Sequence, residues 1–323
     1  MYPSVQGKVI LVTGGGGALG TQVSLQLAKL GAKVYLADIN EEAVERSVTE
    51  ISSQVQGARV HPTPKLDLAS MSSIREFVEW FECQESGLDV LINNAGANFM
   101  GVDPWYTKDG IAGGPQVNVL GPFALTRLLE PMLTKKKSPS RIVNVASIMH
   151  RFNEMPAPDV FMRDWEIANY GKSKLAVVMF TKLMQEKWRE KNVSCACVDP
   201  GAVYTGIWKT SKLLGRPPGS WVLKALYAPP EDAVACSLHA AAADEIVPGG
   251  YYARGLFASP WIAKRNSFAA ASVLSIADWP LRWISRGRLC AGVQSVPVAP
   301  NACDLEKSQL LWDCCSDLAG IER

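Results

Sequence analysis

Histidine and cysteine are scarce in this chain, which has three histidines and eight cysteines among its 323 residues. No two cysteines have the C-x-x-C spacing that is typical of zinc sites, so we predict no metal centre. Disulfide frameworks stabilise mainly short secreted chains, and this chain is long enough to bury a large core. We therefore expect free thiols and a reducing, intracellular compartment.

Long apolar runs and an excess of either charge are also missing. The 33 basic and 31 acidic residues give a net charge of +2, which is too small to predict nucleic-acid binding. No run reaches the roughly 18 apolar residues of a transmembrane helix, and the first residues lack the basic region of a secretory signal. With 48% apolar and 20% charged residues, the composition excludes a mainly disordered chain.

Apolar runs alternate with segments of helical periodicity over the first 200 residues. Short apolar runs predict buried strands, and apolar residues spaced three and four apart predict helices. The predicted strands are 8–13, 33–37, 59–61, 88–93, 141–146 and 193–198, and the predicted helices are 21–30, 41–54, 70–84, 115–135 and 169–191. This alternation predicts an α/β fold, a doubly wound, Rossmann-type parallel sheet with helices on both faces.

A glycine-rich segment, Thr13-Gly-Gly-Gly-Gly-Ala-Leu-Gly20, separates the first strand from the first helix. Glycine lets the backbone approach a pyrophosphate, and the N-terminus of the following helix offers unpaired N–H groups to it. Gly15, Gly17 and Gly20 fit the dinucleotide-binding spacing G-x-G-x-x-G, and Gly14, Gly17 and Gly20 fit a related one. We interpret the segment as a cofactor loop, with a purely structural tight turn as the alternative.

Asp38 follows the second strand, 18 residues after Gly20. A carboxylate at this position accepts hydrogen bonds from the ribose hydroxyls of NAD(H) and repels the 2′-phosphate of NADP(H). We therefore predict NAD(H) as the preferred cofactor and NADP(H) as the less favoured one. The alternative is that Asp38 only caps the helix that begins near Glu41.

Tyr170 and Lys174 form the second pattern, Tyr170-Gly-Lys-Ser-Lys174, within a predicted helix. Residues four apart lie on one helix face, which places the ammonium group beside the phenol. A positive charge favours the tyrosinate, which otherwise forms only at about pH 10. The pair can then act as general base or acid toward an alcohol or a carbonyl.

Together these motifs resemble the short-chain dehydrogenase/reductase family, and further motifs follow in the family's order. The resemblance implies that Asn93-Asn-Ala-Gly96 packs against the cofactor and that Asp67 lies near the adenine. It implies that the main chain of Asn118 holds a relay water and that Ser147 binds the substrate oxygen. In Pro200-Gly-Ala-Val-Tyr-Thr205, the threonine is expected to contact the nicotinamide.

The resemblance thus implies one catalytic set and one cofactor-binding set. The catalytic set is Asn118, Ser147, Tyr170 and Lys174. The cofactor-binding set is Thr13, Gly14, Gly15, Gly17, Leu19, Gly20, Asp38, Asp67, Asn94, Ala95, Gly96, Pro200, Gly201 and Thr205. Ala18 departs from the family's usual glycine and leaves the geometry around the phosphates open.

Within the family, the chain is similar to retinol dehydrogenases. The similarity rests on Ser147-Ile-Met-His150, Tyr170-x-x-Ser-Lys-Leu-Ala176, Gly249-Gly-Tyr-Tyr252 and Leu310-Leu-Trp-Asp-Cys-Cys-Ser316. It implies an apolar alcohol, aldehyde or ketone as substrate, retinoid-, steroid- or lipid-like. The family also leads us to expect a homodimer paired through the helices at 115–135 and 169–191.

The segment 256–300 is the most individual part of the chain. It contains Trp261, Trp279 and Trp283 among several arginines, a composition that suits a lid, a protein partner or a membrane surface. We therefore divide the chain into a dinucleotide-binding and catalytic domain at 1–255, this inserted segment, and a C-terminal helix at 301–323 on the same domain. All three interpretations of the insertion remain open.

Three smaller features complete the prediction. The loop 148–168 is rich in methionine and aromatic residues, which fits a substrate-pocket wall and ordinary packing equally well. We expect His150 on the surface, with a contact to the substrate as the alternative. We expect Cys195 and Cys197 to fill the core on opposite faces of a strand. The overall prediction is an oxidoreductase that moves a hydride between nicotinamide and an apolar alcohol or carbonyl. The alternative is a non-catalytic accessory subunit that docks through 256–300.

Overall fold

A parallel sheet organises the molecule. The structure, a computed structural model, describes residues 5–99, 101–136, 138–201, 203, 229–254 and 292–323. Its strands are β1 (Val9–Thr13), β2 (Lys33–Ala37), β3 (Arg59–Pro62), β4 (Val90–Asn93), β5 (Ser140–Val145), β6 (Val193–Val198), β7 (Tyr251–Ala253) and β8 (Gln294–Ser295). They are ordered β3-β2-β1-β4-β5-β6-β7-β8, and β8 runs antiparallel to β7. The strand order reverses beside β1, where folds of this class bind their ligands.

Helices connect the strands and follow the predicted alternation. They are α1 (Ala18–Lys29), α2 (Glu41–Gln54), α3 (Met71–Gln84), α4 (Gly113–Pro115), α5 (Gly121–Leu128), α6 (Glu130–Thr134), α7 (Pro158–Arg163), α8 (Tyr170–Lys187), α9 (Pro230–Ala233), α10 (Ala235–Ala242) and α11 (Leu305–Ala319). The predicted continuous helix 115–135 is instead α4, a π-helical turn at Gln116–Leu120, α5 and α6. A proline in the first turn of α6 cannot continue a preceding helix, which explains that break.

Each face of the sheet carries its own apolar core. Leu11 and Val12 are neighbours on β1 and belong to opposite clusters, one under α3, α5, α8 and α11, the other under α1, α2 and α10. Cys195 and Cys197 are buried as predicted, but both lie in the first cluster. The prediction of opposite faces is wrong, because side chains two residues apart on a strand point the same way.

The C-terminal helix α11 packs against α8 and α5. The Trp312 ring lies 5.0 Å from the Phe123 ring and 4.8 Å from the Arg127 guanidinium. This helix therefore covers part of the face where subunit pairing was predicted. Of the segment 256–300, only 292–300 is described, so Trp261, Trp279 and Trp283 lie outside the described residues. Among the helices that are described, none combines the length and the apolar character needed to cross a membrane.

Candidate active site

The glycine loop closes tightly between β1 and α1. Gly14 adopts a φ of +67°, which side-chain-bearing residues rarely reach. A β-carbon at Gly20 would lie 2.1 Å from the carbonyl oxygen of Gly14, a distance that no side chain allows. Gly15 donates its N–H to the Ala37 carbonyl at 3.0 Å, which fixes the loop to the end of β2. The loop is therefore built for close packing of main chain on main chain.

The N-terminus of α1 fits the phosphate groups of a dinucleotide. Gly17 occupies the capping position and has no side chain to occupy the N–H groups of the first turn. Gly17 and Ala18 are exposed, and Leu19 is half-buried. Because the Ala18 methyl group faces outward, it leaves the internal contacts of the loop undisturbed. Free N–H groups and the positive end of the helix dipole favour a bound anion here.

Asp38 turns toward this loop. Its carboxylate accepts hydrogen bonds from the N–H of Gly16 and the N–H of Asn40, both at 3.1 Å. The side chain of Asn40 caps α2 by accepting from the N–H of Ala43 at 3.0 Å. The alternative in which Asp38 caps this helix is therefore wrong. The carboxylate instead lies where the loop meets the end of β2, and it is half-buried.

Asn94 and Thr13 join the next strand to the glycine loop. Asn94 donates its side-chain amide to the carbonyls of Thr13 and Gly14 at 2.9 and 3.2 Å. The Thr13 hydroxyl accepts the N–H groups of Asn94 and Ala95, both at 3.1 Å. The predicted residues of β1 and β4 thus meet at the carboxyl edge of the sheet.

Asp67 lies beside the same edge. The residue before it, Leu66, donates its N–H to the Asp38 carbonyl at 3.0 Å. The Asp67 carboxylate accepts the N–H of Ala69 at 2.9 Å and shapes the turn into α3. This position is compatible with the adenine contact that the resemblance implies.

The catalytic candidates converge on the ends of β4 and β5. Ser147 follows β5, and Tyr170 opens α8 behind the capping residue Asn169. Lys174 lies one turn later, with its Nζ 5.5 Å from the centre of the Tyr170 ring. The same Nζ donates to the Val145 carbonyl at 2.7 Å, which anchors it under the strand that leads to Ser147.

Asn118 and Gly96 complete this cluster. The Asn118 side chain exchanges two hydrogen bonds of 2.8 Å with the main chain of Ala97. A β-carbon at Gly96 would lie 3.3 Å from both Asn118 Oδ1 and Lys174 Nζ, so these three residues surround one point. Asn118 also lies in the π-helical turn, where main-chain carbonyls leave the regular helical pattern. This geometry suits a residue whose main chain is expected to hold a water.

Burial governs the protonation of the pair. Burial of the phenol raises the pKa of Tyr170, the Asp199 carboxylate raises it further, and a hydrogen bond with Ser147 opposes them. Burial disfavours the charged form of the lysine too, and it lowers the pKa of Lys174 to about 8. The charge of Lys174 alone would lower the pKa of Tyr170. The pKa is raised instead, because the loss of solvation of the phenol outweighs the effect of that charge. The phenol is therefore protonated at neutral pH in this state.

His150 is buried, so the prediction of a surface position is wrong. The ring is completely buried, and its Nδ1 lies 2.8 Å from the Ser147 carbonyl while its Nε2 accepts the Ala299 N–H at 3.3 Å. Burial lowers the pKa of His150 to about 4, so the ring is neutral, with the proton on Nδ1. Nothing in the local sequence indicates Ala299 as a partner, because it lies 149 residues further along the chain.

Asp199 is a functional residue that the sequence prediction missed. Asp199 directly precedes the predicted Pro200–Gly201 turn, and its buried carboxylate binds the Gly201 N–H at 2.8 Å. An acidic residue at the end of a buried strand is the signal that also identified Asp38, and it could have found this one. Pro200 and Gly201 lie at the same edge as Ser147, whereas Thr205 falls outside the described residues.

The loop 148–168 contains some residues that pack in the core and others that could form a wall of the substrate pocket. Met155, Phe161 and Met162 are buried in the core, so for them packing is the observed role. Trp165 is half-exposed and joins Phe99 and Trp105, with ring centres 5.7 to 6.5 Å apart. This aromatic cluster connects the segment after Gly96 with the segment before Tyr170.

Comparison with known proteins agrees with this geometry. A family model described as short chain dehydrogenase matches residues 8–213. Retinol dehydrogenase 13 of Homo sapiens is 33% identical over 325 residues, which cover 99% of this chain and 86% of that protein. Polyprenol dehydrogenase of Homo sapiens is 34% identical over 268 residues, 78% of each chain.

A solved structure extends the likeness to the fold. An uncharacterized protein from Mycobacterium Paratuberculosis matches with a TM-score of 0.70 and 24% identity, covering 99% of this chain and 96% of that chain. At this identity the match supports the fold alone, and it agrees with the doubly wound sheet described above.

Proposed function

The chain belongs to the short-chain dehydrogenase family and to its retinol-dehydrogenase-like branch, and from this premise we propose that it oxidises apolar alcohols, or reduces the matching carbonyls, with a nicotinamide dinucleotide. The observation that carries the proposal is the convergence of Asn118, Lys174 and Gly96 beside Tyr170 and Ser147. When bound, the nicotinamide accepts or donates the hydride.

The preferred cofactor in this proposal is NAD(H). The glycine loop and the uncapped N-terminus of α1 fit the pyrophosphate. The support for NAD(H) over NADP(H) is Asp38, whose carboxylate faces the loop instead of capping α2. A negative charge at this position favours ribose hydroxyls over a phosphate.

In this proposal, four residues have separate roles in transferring the proton of the substrate hydroxyl. In the oxidation direction, Tyr170 takes the proton of the substrate hydroxyl, while the Ser147 hydroxyl holds the substrate oxygen. Lys174 places a positive charge next to the tyrosine ring, which favours the deprotonated phenol at the moment of transfer. Asn118 fixes the main chain around Ala97, at the position proposed for the relay water.

The proposed substrates are retinoid-, steroid- or lipid-like. The names of the relatives concern retinol and polyprenol, both apolar alcohols. Phe99, Trp105 and Trp165 present half-exposed rings between the segments that lead from Gly96 and toward Tyr170. Such rings suit an apolar chain or ring system better than a sugar or a charged substrate.

Partners and location remain predictions. A homodimer formed at α5 and α8 would include α11, because Trp312 already packs on that face. Docking to a protein or to a membrane surface through 256–300 concerns residues that lie mostly outside the described ranges. A reducing, intracellular setting and the accessory-subunit alternative are likewise untested, and the assembled catalytic set favours the enzyme.

The test is NAD⁺-dependent oxidation of a panel of apolar alcohols by the intact protein and by Tyr170→Phe. We expect the variant to lose at least about a thousandfold in kcat, because it lacks the group that exchanges the proton, and to keep its NADH affinity. Tyr106→Phe is the matched control, since Tyr106 is 49% exposed and its hydroxyl is not part of the catalytic set. Turnover retained in Tyr170→Phe would contradict the assignment.

A further inference from the structure

Asp199 is a buried carboxylate at the end of β6 with only 3% of its surface exposed. It accepts the Gly201 N–H and the Tyr251 hydroxyl, each at 2.8 Å, and also the main-chain N–H of Ile148. Burial of an acid without partners is very costly. Burial raises the pKa of Asp199, and the hydrogen bonds from Gly201, Tyr251 and Ile148 oppose that rise because they stabilise the ionised carboxylate.

The three donors belong to three different parts of the active site. Ile148 is the residue after Ser147, and Gly201 lies in the turn proposed to meet the nicotinamide. Tyr251 comes from β7, whose neighbour Tyr252 accepts the main-chain N–H of Asp199 at 2.8 Å. One side chain therefore connects the catalytic serine segment, the turn proposed to meet the nicotinamide, and β7.

Two further buried groups surround this connection. Arg151 is 4% exposed, donates to the Pro297 carbonyl, and its positive charge stabilises the Asp199 carboxylate. His150 packs its ring against Tyr251 with centres 4.8 Å apart. Pro297 and Ala299 follow β8, so this segment is attached to the back of the catalytic serine.

We propose that Asp199 is a positioning residue of this active site, which holds the segments of Ser147 and Gly201 together and places a negative charge beside Tyr170 and Lys174. The inference rests on the function proposed above. It assigns to Asp199 no contact with the reacting atoms.

The charge gives this role a measurable signature. The titratable groups on the elements around Tyr170 are Lys174, Asp199, Cys197, Tyr251, His150 and Arg151. Burial brings the pKa of His150 to about 4 and that of Cys197 to about 12, and it raises the pKa of Tyr251 well above its usual value. Besides Asp199, whose own pKa is raised by burial, the group left to titrate near neutral pH is the Tyr170–Lys174 pair, which acts as a coupled unit.

The sign of the effect follows from electrostatics. A negative charge holds protons on its neighbours, and Asp199 raises the pKa of both Tyr170 and Lys174. Oxidation requires the pair to have lost its first proton, so activity rises with pH through that step. Removal of the charge by Asp199→Asn should therefore shift this rising limb to lower pH, by about one pH unit for a charge at short range.

The experiment measures the pH profile of kcat for alcohol oxidation in the intact protein and in Asp199→Asn. NADH binding, followed by energy transfer from tryptophan, checks independently that the variant is folded, and we expect the affinity to change less than about threefold, since the asparagine oxygen still accepts from Gly201. Asp317→Asn is the control, because Asp317 is an exposed acid on α11 and its loss should leave the profile unchanged.

A second variant covers the case in which Asp199→Asn does not fold. Tyr251→Phe keeps the charge and removes one donor, so we expect kcat to fall several-fold with the rising limb in its original place. Unchanged kcat in Tyr251→Phe, or an unmoved limb in folded Asp199→Asn, would overturn the inference. Absence of turnover in the unaltered protein with every alcohol would instead overturn the proposed function.

Discussion

The two halves of the carboxyl edge are built by different means. On the cofactor side, from Thr13 to Gly96, the contacts are main-chain groups and short side chains, and Gly17, Ala18 and Gly96 are exposed. On the catalytic side, from Ser147 to Gly201, buried charged and polar side chains hold the segments together. The first half depends on glycines where main chain packs on main chain, and the second half depends on buried polar side chains.

This difference decides how each half responds to change. A glycine in close contact with main chain tolerates no added atom, whatever its chemistry. A buried polar network tolerates changes of shape poorly and changes of charge worst of all, because each unpaired group carries its desolvation cost. The cofactor side should therefore be the more sensitive to substitutions that add atoms, and the catalytic side should be the more sensitive to changes of pH and charge.

The largest expected effect is on the cofactor side. In Gly20→Ala, the new methyl carbon would lie 2.1 Å from the Gly14 carbonyl oxygen, so the loop must move. We expect NADH binding to be lost and the free energy of unfolding to fall by about 1–3 kcal/mol, as for an overpacked core. Fluorescence titration and urea unfolding measure both. Gly292→Ala, where nothing lies within 4 Å of the added carbon, is the control and should behave like the unaltered protein.

On the catalytic side, the expected effect is a dependence of the free energy of unfolding on pH. Burial lowers the pKa of His150 from 6.5 to about 4, so between these values the unfolded chain binds a proton that the folded chain does not. Stability should therefore fall as pH falls through this window, by about 3 kcal/mol at about 1.4 kcal/mol per pH unit.

Urea unfolding at several pH values between 7 and 4 is the measurement for His150. We expect His150→Gln to be less stable at pH 7, because it loses the ring that binds Ser147 and Ala299, but to lose less stability on acidification. His239→Gln, at a half-buried histidine on α10, is the comparison variant. An acid slope in His150→Gln as steep as the original would rule out the buried histidine as its source.

The smallest expected effect concerns cofactor choice. Asp38→Ser removes the charge that faces the glycine loop, so the ratio of NADPH to NADH affinity should rise about tenfold, or about 1.4 kcal/mol. Glu45→Ser removes an exposed charge from α2 and should leave the ratio unchanged. An unchanged ratio of NADPH to NADH affinity in Asp38→Ser would mean that Asp38 does not discriminate between the two riboses.

The same contrast explains what could be predicted from sequence. The strands at 33–37 and 193–198 and the helix at 41–54 are confirmed to the residue, because local apolar periodicity and turn residues determine them. The tight loop between β1 and α1 was also predictable, since its signal is a run of glycines between a strand and a helix.

The catalytic side was predicted only in part. Ser147, Tyr170 and Lys174 lie together as the family resemblance implied. The burial of His150 was missed because its partner Ala299 is 149 residues away and no local pattern connects the two. Asp199 could have been found from its position at the end of a buried strand, but its hydrogen bond with Tyr251, 52 residues away, has no local signal. The break in the helix at 115–135 was missed because apolar periodicity continues through the π-helical turn and past Pro131.

The most direct test of the account is a titration of the purified protein with NADH and, separately, with NADPH, followed by energy transfer from tryptophan to the nicotinamide. We predict saturation with NADH and a markedly weaker response to NADPH, because the proposed function requires the glycine loop to bind the pyrophosphate and Asp38 to face the ribose. Failure to saturate with either dinucleotide would contradict it.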